Sequence, residues 1–411
     1  MDKDTLHGMP GSLLTPFAHP LYVFVKPIGA RCNLSCRYCY YLEKSRLYPQ
    51  LSRHELSEEM LELFVKEYIE SQTMRQVLFT WHGGEPMLRP LSFYQQAMRL
   101  QQKYARGRQI DNVIQTNGTL LTDEWCAFLK ENQWLVGVSI DGPQRLHDHY
   151  RHTVTGQPTW EKVMRGIGLL KKYGVEWNAM AVVNHFNADY PMEFYHFFKE
   201  IDCRYIQLTP VVERVDNGRL ASLDDKEMPV SEYSVTPGQW GRFLCEIFDE
   251  WVRHDVGQYY VTLFDSTLAN WVGVSPGHCA YAKECGHAGV MEFNGDVYSC
   301  DHFVFPAYRL GNIKENTLLE MLYGEKQQRF SRLKHASLPR QCLECEWEFA
   351  CHGECPKNRF LSDEYGQSRL NYLCAGYREY FAHVAPYMDY MRDELAHDRA
   401  PANIMKVLSQ K

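Results

Sequence analysis

The stretch Leu21–Tyr41, LYVFVKPIGARCNLSCRYCYY, decides how this chain is read. An apolar, β-branched run ends at Lys26 and Pro27, and a glycine-containing segment then leads into Cys32, Cys36 and Cys39. The run from Leu21 to Lys26 predicts a strand. The Cys-x3-Cys-x2-Cys spacing places three thiolates on one loop, enough to hold three irons of a cubane cluster while the fourth iron lacks a protein ligand. An open metal position is a reactive one. A structural zinc loop would need a fourth ligand close by, and the neighbouring Arg37, Tyr38 and Tyr40 offer none.

Outward from this stretch, short apolar runs alternate with segments of helical period as far as about Trp251. Strands are expected at Leu21–Lys26, Gln76–Trp81, Asp111–Gln115, Leu135–Ile140, Glu176–Val183 and Tyr205–Thr209. Helices are expected at Glu58–Ser71, Leu91–Tyr104, Thr122–Asn132, Trp160–Tyr173 and Pro191–Ile201. This is the signature of an α/β fold with a parallel sheet, here a partial (βα)6 TIM-type barrel over residues 20–257. Distinctive polar segments follow successive strands: the cysteine loop, Gly83-Gly84-Glu85-Pro86, Thr116-Asn117-Gly118 and Asp141-Gly142-Pro143. In parallel barrels the C-terminal strand ends build the active site, so these motifs are expected to converge on one mouth.

A further helix is expected from Gly238 to Val252, and the domain boundary between about Gln258 and Pro276. Residues 276–375 then carry cysteines Cys279, Cys285, Cys300, Cys342, Cys345, Cys351, Cys355 and Cys374, enough for two fully ligated four-iron clusters. Cys-x2-Cys pairs also occur in structural zinc sites, which keeps a zinc-ribbon reading open. Val290–Phe293 and Asp296–Ser299 read as a hairpin about Asn294-Gly295 in a type I′ turn, delivering Cys300 and Asp301 at a strand end with side chains on opposite faces. Residues 376–411 read as a helical segment that packs, with Pro386 expected to kink it.

The composition, 45% hydrophobic over 411 residues, supports a sizeable core. A net charge of −7 without a basic block argues against nucleic-acid binding. Met1–Pro20 lacks the apolar core of a signal peptide and no run is long enough for a bilayer, so a soluble cytoplasmic protein is expected. In that reducing compartment clustered cysteines are metal ligands or redox groups sooner than disulfides. His147, His149 and His152 read as a solvated polar loop, and Cys126, Cys203 and Cys245 as small buried hydrophobes.

The cysteine loop with Tyr38 before its last cysteine resembles the radical S-adenosylmethionine superfamily, and the spacing from Cys285 to Cys374 resembles the SPASM extension of its peptide-modifying members. Within that group Tyr38-Cys39-Tyr40-Tyr41, the Gly-Gly-Glu-Pro loop, Gln115–Thr119, Ser139–Pro143 with Arg151, and Tyr298-Ser299-Cys300-Asp301 resemble the anaerobic sulfatase-maturating enzymes, from about Leu21 to Tyr380. The resemblance implies oxidation of a cysteine or serine of a sulfatase to Cα-formylglycine, three [4Fe-4S] clusters, S-adenosylmethionine, and a flavodoxin- or ferredoxin-type electron donor. By motif, Tyr38, Gly84, Ser139, Arg151 and Val212 would contact S-adenosylmethionine, and Asp301 would be the general base. It further implies that Cys279, Cys285, Cys300 and Cys355 hold one auxiliary cluster and Cys342, Cys345, Cys351 and Cys374 the other. Two other readings share these residues: a radical enzyme that makes a thioether or other crosslink in a ribosomal peptide, and a non-catalytic iron–sulfur or zinc-binding protein.

Overall fold

Alternating apolar runs and amphipathic segments become six parallel strands with helices between them: β1 (Tyr22–Val25), β2 (Gln76–Trp81), β3 (Gln109–Thr116), β4 (Leu135–Ser139), β5 (Trp177–Val183) and β6 (Tyr205–Pro210). The computed structural model describes residues 21–51, 54–216, 219–220 and 228–410. Neighbouring strands pair in chain order from β1 to β6, all parallel, which is the sheet of a partial barrel. The intervening helices start where polar side chains cap free backbone N–H groups. Ser57 accepts from Met60 N ahead of Glu58–Glu70, and Thr122 accepts from Trp125 N ahead of Asp123–Glu131. Gly174, at φ +63, ends Trp160–Tyr173 in the left-handed conformation that glycine adopts without strain.

The sheet does not stop at its two barrel edges. Tyr260–Val261 adds in parallel beyond β6, and Ala288–Met291 adds in parallel beside β1, followed by the antiparallel strands Asp296–Tyr298 and Arg309–Asn312. The cysteine-rich region is thus tied to the barrel through its first strand.

The hairpin turn differs from the type I′ expectation. Gly295 has φ +88, whereas Asn294 keeps a negative φ; Gly295 N donates to Glu292 O at 2.9 Å and Glu292 N to Asp296 O at 2.9 Å. This is a three-residue loop ending in a left-handed glycine, which needs only one positive φ. The strand ends at Tyr298, Ser299 N bonds to Tyr308 O, and Asp301 opens a 3₁₀ turn, so strand alternation does not aim Cys300 and Asp301.

The helix Cys374–Ala396 runs through Pro386 without a break and lies against Pro237–His254. Their approach is set by glycines, since a Cβ on Gly376 would sit 2.2 Å from Pro237 O and one on Gly241 2.9 Å from Gly376 O. Gly376→Ala should therefore overpack this seam and destabilise the protein by about 1–3 kcal/mol in denaturant unfolding; an unchanged midpoint would show that the helices separate freely.

Candidate functional site

The cysteine loop is held in place by the loops that follow β2 and β3. Gly84 N donates to Gly29 O at 2.8 Å and Glu85 N to Arg31 O at 2.9 Å. A Cβ on Gly84 would stand 2.0 Å from Arg31 O, so the glycine is required by the backbone of the cysteine loop itself. Buried Glu85 ties the two supporting loops together, accepting from Asn117 N at 2.7 Å, Thr116 Oγ1 at 2.8 Å and Met87 N at 3.0 Å. Burial raises its carboxyl to about 7. Asn117 Nδ2 reaches Asn33 Oδ1 at 2.9 Å and faces Cys32 Sγ at 3.8 Å.

Beyond β4, Asp141 is a hub. It accepts from Arg151 Nε at 2.8 Å, Arg151 Nη2 at 3.0 Å and Val182 N at 2.9 Å, and the Tyr38 hydroxyl donates to it. Burial opposes ionisation of Asp141, but the Arg151 guanidinium holds it below the usual carboxylate range. One edge of the Arg151 guanidinium, Nε and Nη2, is thereby committed to Asp141, with the Tyr38 ring 5.5 Å away. Ser139, at the end of β4, accepts from Gln115 Nε2 at 3.1 Å. Val212 is buried and its carbonyl accepts from Lys357 Nζ at 3.0 Å.

The loop His147–His152 departs from the solvated reading at its first histidine. His147 is buried, taking Asp141 N on Nδ1 at 3.2 Å and meeting Thr159 Oγ1 at 3.0 Å. Burial lowers its imidazole to about 3, so it is a neutral brace beneath Asp141. His149 is exposed and stacks on Phe186. Of the remaining cysteines, Cys126 and Cys203 are buried and Cys245 is half-buried.

On the β1 side, Lys26 Nζ lies 2.6 Å from Asp301 Oδ1, as an ion pair not aligned as a hydrogen bond, and the Tyr40 hydroxyl donates to Oδ2. Burial pushes the Asp301 carboxyl up, yet the Lys26 ammonium beside it holds it well below the usual range. Lys26 is fully buried, meets His82 Nδ1 at 3.1 Å and sits 4.0 Å over the Tyr41 ring. Because Gly83 N also donates to His82 Nδ1, at 2.8 Å, that nitrogen is an acceptor and the ring carries its proton on Nε2. Burial and Lys26 lower His82 to about 4.

The eight later cysteines fall into two sets. Cys300 lies near enough to Cys279 and Cys355, and Cys355 to Cys279 and Cys285, for a thiolate at one to be felt at the other. The same holds for Cys342 with Cys374 and Cys345, for Cys351 with Cys374 and Cys342, and for Cys374 with Cys345. All are free thiols, and burial raises Cys342 to about 12 and Cys285 to about 11. Among the described residues no three Cys, His, Asp or Glu side chains stand close enough to share one metal ion. A cubane takes each thiolate on a different iron, so its four ligands need not share one metal ion.

A family model described as the Radical SAM superfamily matches residues 27–198, and one described as an iron-sulfur cluster-binding domain, SPASM, matches residues 285–346. A serine-type anaerobic sulfatase-maturating enzyme of Bacteroides thetaiotaomicron is 65% identical over 97% of this chain and 98% of its own length. The chain belongs to the anaerobic sulfatase-maturating enzymes. A cysteine-type anaerobic sulfatase-maturating enzyme of Clostridium perfringens is 34% identical over 89% of this chain and 97% of its own. The solved structure of native anSMEcpe with bound AdoMet and Cp18Cys peptide, 32% identical, matches with a TM-score of 0.81 over 92% of this chain and 100% of that one. Like the rest of the radical S-adenosylmethionine superfamily, the protein is an enzyme that uses S-adenosylmethionine and iron–sulfur chemistry.

For this sulfatase-maturating enzyme the geometry adds residues that motif reading passed over as site members: Lys26, Tyr40, His82, Glu85 and Asp141. Lys26 carried a signal, a cation closing an apolar strand that turns out fully buried. Gly84→Ala should displace the cysteine loop and lower bound iron by about four per chain, measured on anaerobically purified protein. Lys26→Met should destabilise the fold by about 3–5 kcal/mol by stranding Asp301, and adding Asp301→Asn should recover part of that loss; additive unfolding energies would exclude the coupling.

Proposed function

We propose that the mouth formed by β1 and the hairpin oxidises a serine side chain of a sulfatase to Cα-formylglycine, with Asp301 as the base. The observation that carries this reading is the placement of Asp301 between Lys26 and the Tyr40 hydroxyl, beside the loop of Cys32, Cys36 and Cys39. Cys32, Cys36 and Cys39 form no disulfide and their loop is braced by two neighbouring loops, which fits a cluster with one iron left open for the cofactor. Residues 20–257 would carry the radical chemistry, residues 276–375 two auxiliary [4Fe-4S] clusters on the two sets of four cysteines, and residues 376–411 helical support.

When bound, S-adenosylmethionine and the three clusters supply a 5′-deoxyadenosyl radical that takes a hydrogen atom from the substrate Cβ, and an acceptor for the electron left behind. The chain's own part is to hold charges and protons. Tyr38, Gly84, Ser139, Arg151 and Val212 line the cofactor's side of the mouth; Arg151, fixed by Asp141, keeps one edge of its guanidinium for the cofactor's carboxylate. Asp301 takes the substrate hydroxyl proton. Lys26 keeps it ionised before the reaction, and Tyr40 fixes which oxygen faces the substrate.

Serine is the target favoured here, because the 65% identical relative is serine-type whereas the cysteine-type relative shares 34%. A flavodoxin- or ferredoxin-type donor would supply the first electron. Incubation of the reduced enzyme with a serine-containing sulfatase peptide should yield a product lighter by about two mass units. Asp301→Asn should still release 5′-deoxyadenosine but form less than about one-hundredth of the aldehyde. Full aldehyde formation by that variant defeats the base assignment, and a crosslinked peptide would favour the thioether reading.

A further inference from the structure

Two buried cations stand among the eight later cysteines, and neither is used by the reaction as described above. Lys334, on the helix Glu325–Ala336, is 1% exposed and forms no ion pair with a carboxylate among the described residues. Its Nζ donates instead to Cys279 O at 2.5 Å, to Ala280 O at 2.8 Å and to Ala282 O. Burial lowers the Lys334 ammonium below its ordinary value, and three carbonyl acceptors, which take all three of its protons, offset that cost on the backbone that carries Cys279. The cysteines near enough for a thiolate to raise its pKa are Cys285, Cys279 and Cys355, all of one set, and Cys279 is the one whose own carbonyl it holds. Arg359 is anchored in the same manner, by Gly353 O at 2.8 Å, His352 O and Glu354 O at 2.7 Å, and Lys334 O. Its cysteine neighbours are Cys355, Cys351 and Cys342, which belong to both sets.

We propose that Lys334 is a positioning residue for the substrate's electron: its fixed charge raises the reduction potential of the cluster on Cys279, Cys285, Cys300 and Cys355 above that of the cluster on Cys342, Cys345, Cys351 and Cys374. This rests on the two-cluster reading given above. The first of these sets contains Cys300, so chain connectivity puts it next to Asp301. In the oxidation step the substrate radical, a Cβ bearing one hydrogen and the hydroxyl, loses one electron and the hydroxyl proton to become the aldehyde. The proton would go to Asp301, and the electron to a cluster held by Cys279, Cys285, Cys300 and Cys355. Reduction adds a negative charge, and a cation fixed in a buried site favours the reduced form. Arg359 has neighbours in both sets, whereas Lys334 has them in one.

The test is a redox titration of the anaerobic holoenzyme, followed by electron paramagnetic resonance. In Lys334→Met and Lys334→Gln one auxiliary couple should shift about tenfold toward the oxidised form, 59 mV for one electron, with the other auxiliary couple and the cofactor cluster unmoved. Lys334→Arg should keep the wild-type values. Unchanged midpoints, or an equal fall in both auxiliary couples, overturn the proposal. Loss of one cluster from both neutral variants, with iron falling from about twelve to about eight per chain, would make Lys334 an assembly residue and overturn it as well. Wild-type enzyme holding fewer than about twelve irons would instead defeat the two-cluster reading, and the proposal with it.

Discussion

Parallel pairing of Ala288–Met291 with β1 is the constraint on which the site depends. Tyr22 lies opposite Ala288 and Val25 opposite Met291, and Lys26 N continues the ladder by donating to Met291 O at 2.9 Å. That register carries the chain from Met291 around the Glu292–Asp296 loop and back along Asp296–Tyr298, so that Asp301 arrives above the C-terminal end of β1, where Lys26 and Tyr40 are already placed. A slip of one residue would exchange the faces of every side chain in the pair and carry Asp301 away from its cation. The fully buried Val23, Val25, Val290 and Met291 oppose such a slip, because each would trade its apolar surroundings for the other face of the sheet.

Ionised groups in this interior persist because each is met by a charge or by several hydrogen bonds, as the cost of burying a lone charge demands. Asp141 has Arg151, Asp301 has Lys26, and Glu213 has Lys357. Lys334 and Arg359 follow another rule, since their protons go to backbone carbonyls. Carbonyl oxygens carry no net charge, so the positive charge of each cation is left to act on Glu354 and on the thiolates nearby. That difference in partner type separates residues that fix a side chain from residues that set a local field.

Much of this was legible in the amino-acid sequence. Gln76–Trp81, Leu91–Tyr104 and Trp160–Tyr173 form with the boundaries that hydrophobic period and end signals predict, since a helix cap or a strand's apolar run is written in adjacent residues. The convergence of the cysteine loop with the loops after β2, β3 and β4 followed from parallel topology alone. What stayed illegible depended on partners distant in the chain. The pairing of β1 with Ala288–Met291 joins residues more than two hundred positions apart, and nothing local in either segment names the other. His147 looked solvated because its neighbours are polar, and only the approach of Asp141 and Thr159 buries it.

The hairpin shows how a small misreading of local chemistry propagates. A two-residue type I′ turn at Asn294-Gly295 would pair Phe293 with Asp296, whereas the observed loop pairs Glu292 with Asp296 and leaves Phe293 outside the ladder. Phe293 is then free to stack on His54 and pack edge-on against Tyr48, while Glu292 turns inward to accept from the Tyr41 hydroxyl. Tyr41 is the ring beneath Lys26. The extra loop residue therefore reaches the site through Glu292 and Tyr41, and the left-handed glycine that ends the loop helps hold the ring against which the lysine facing Asp301 rests.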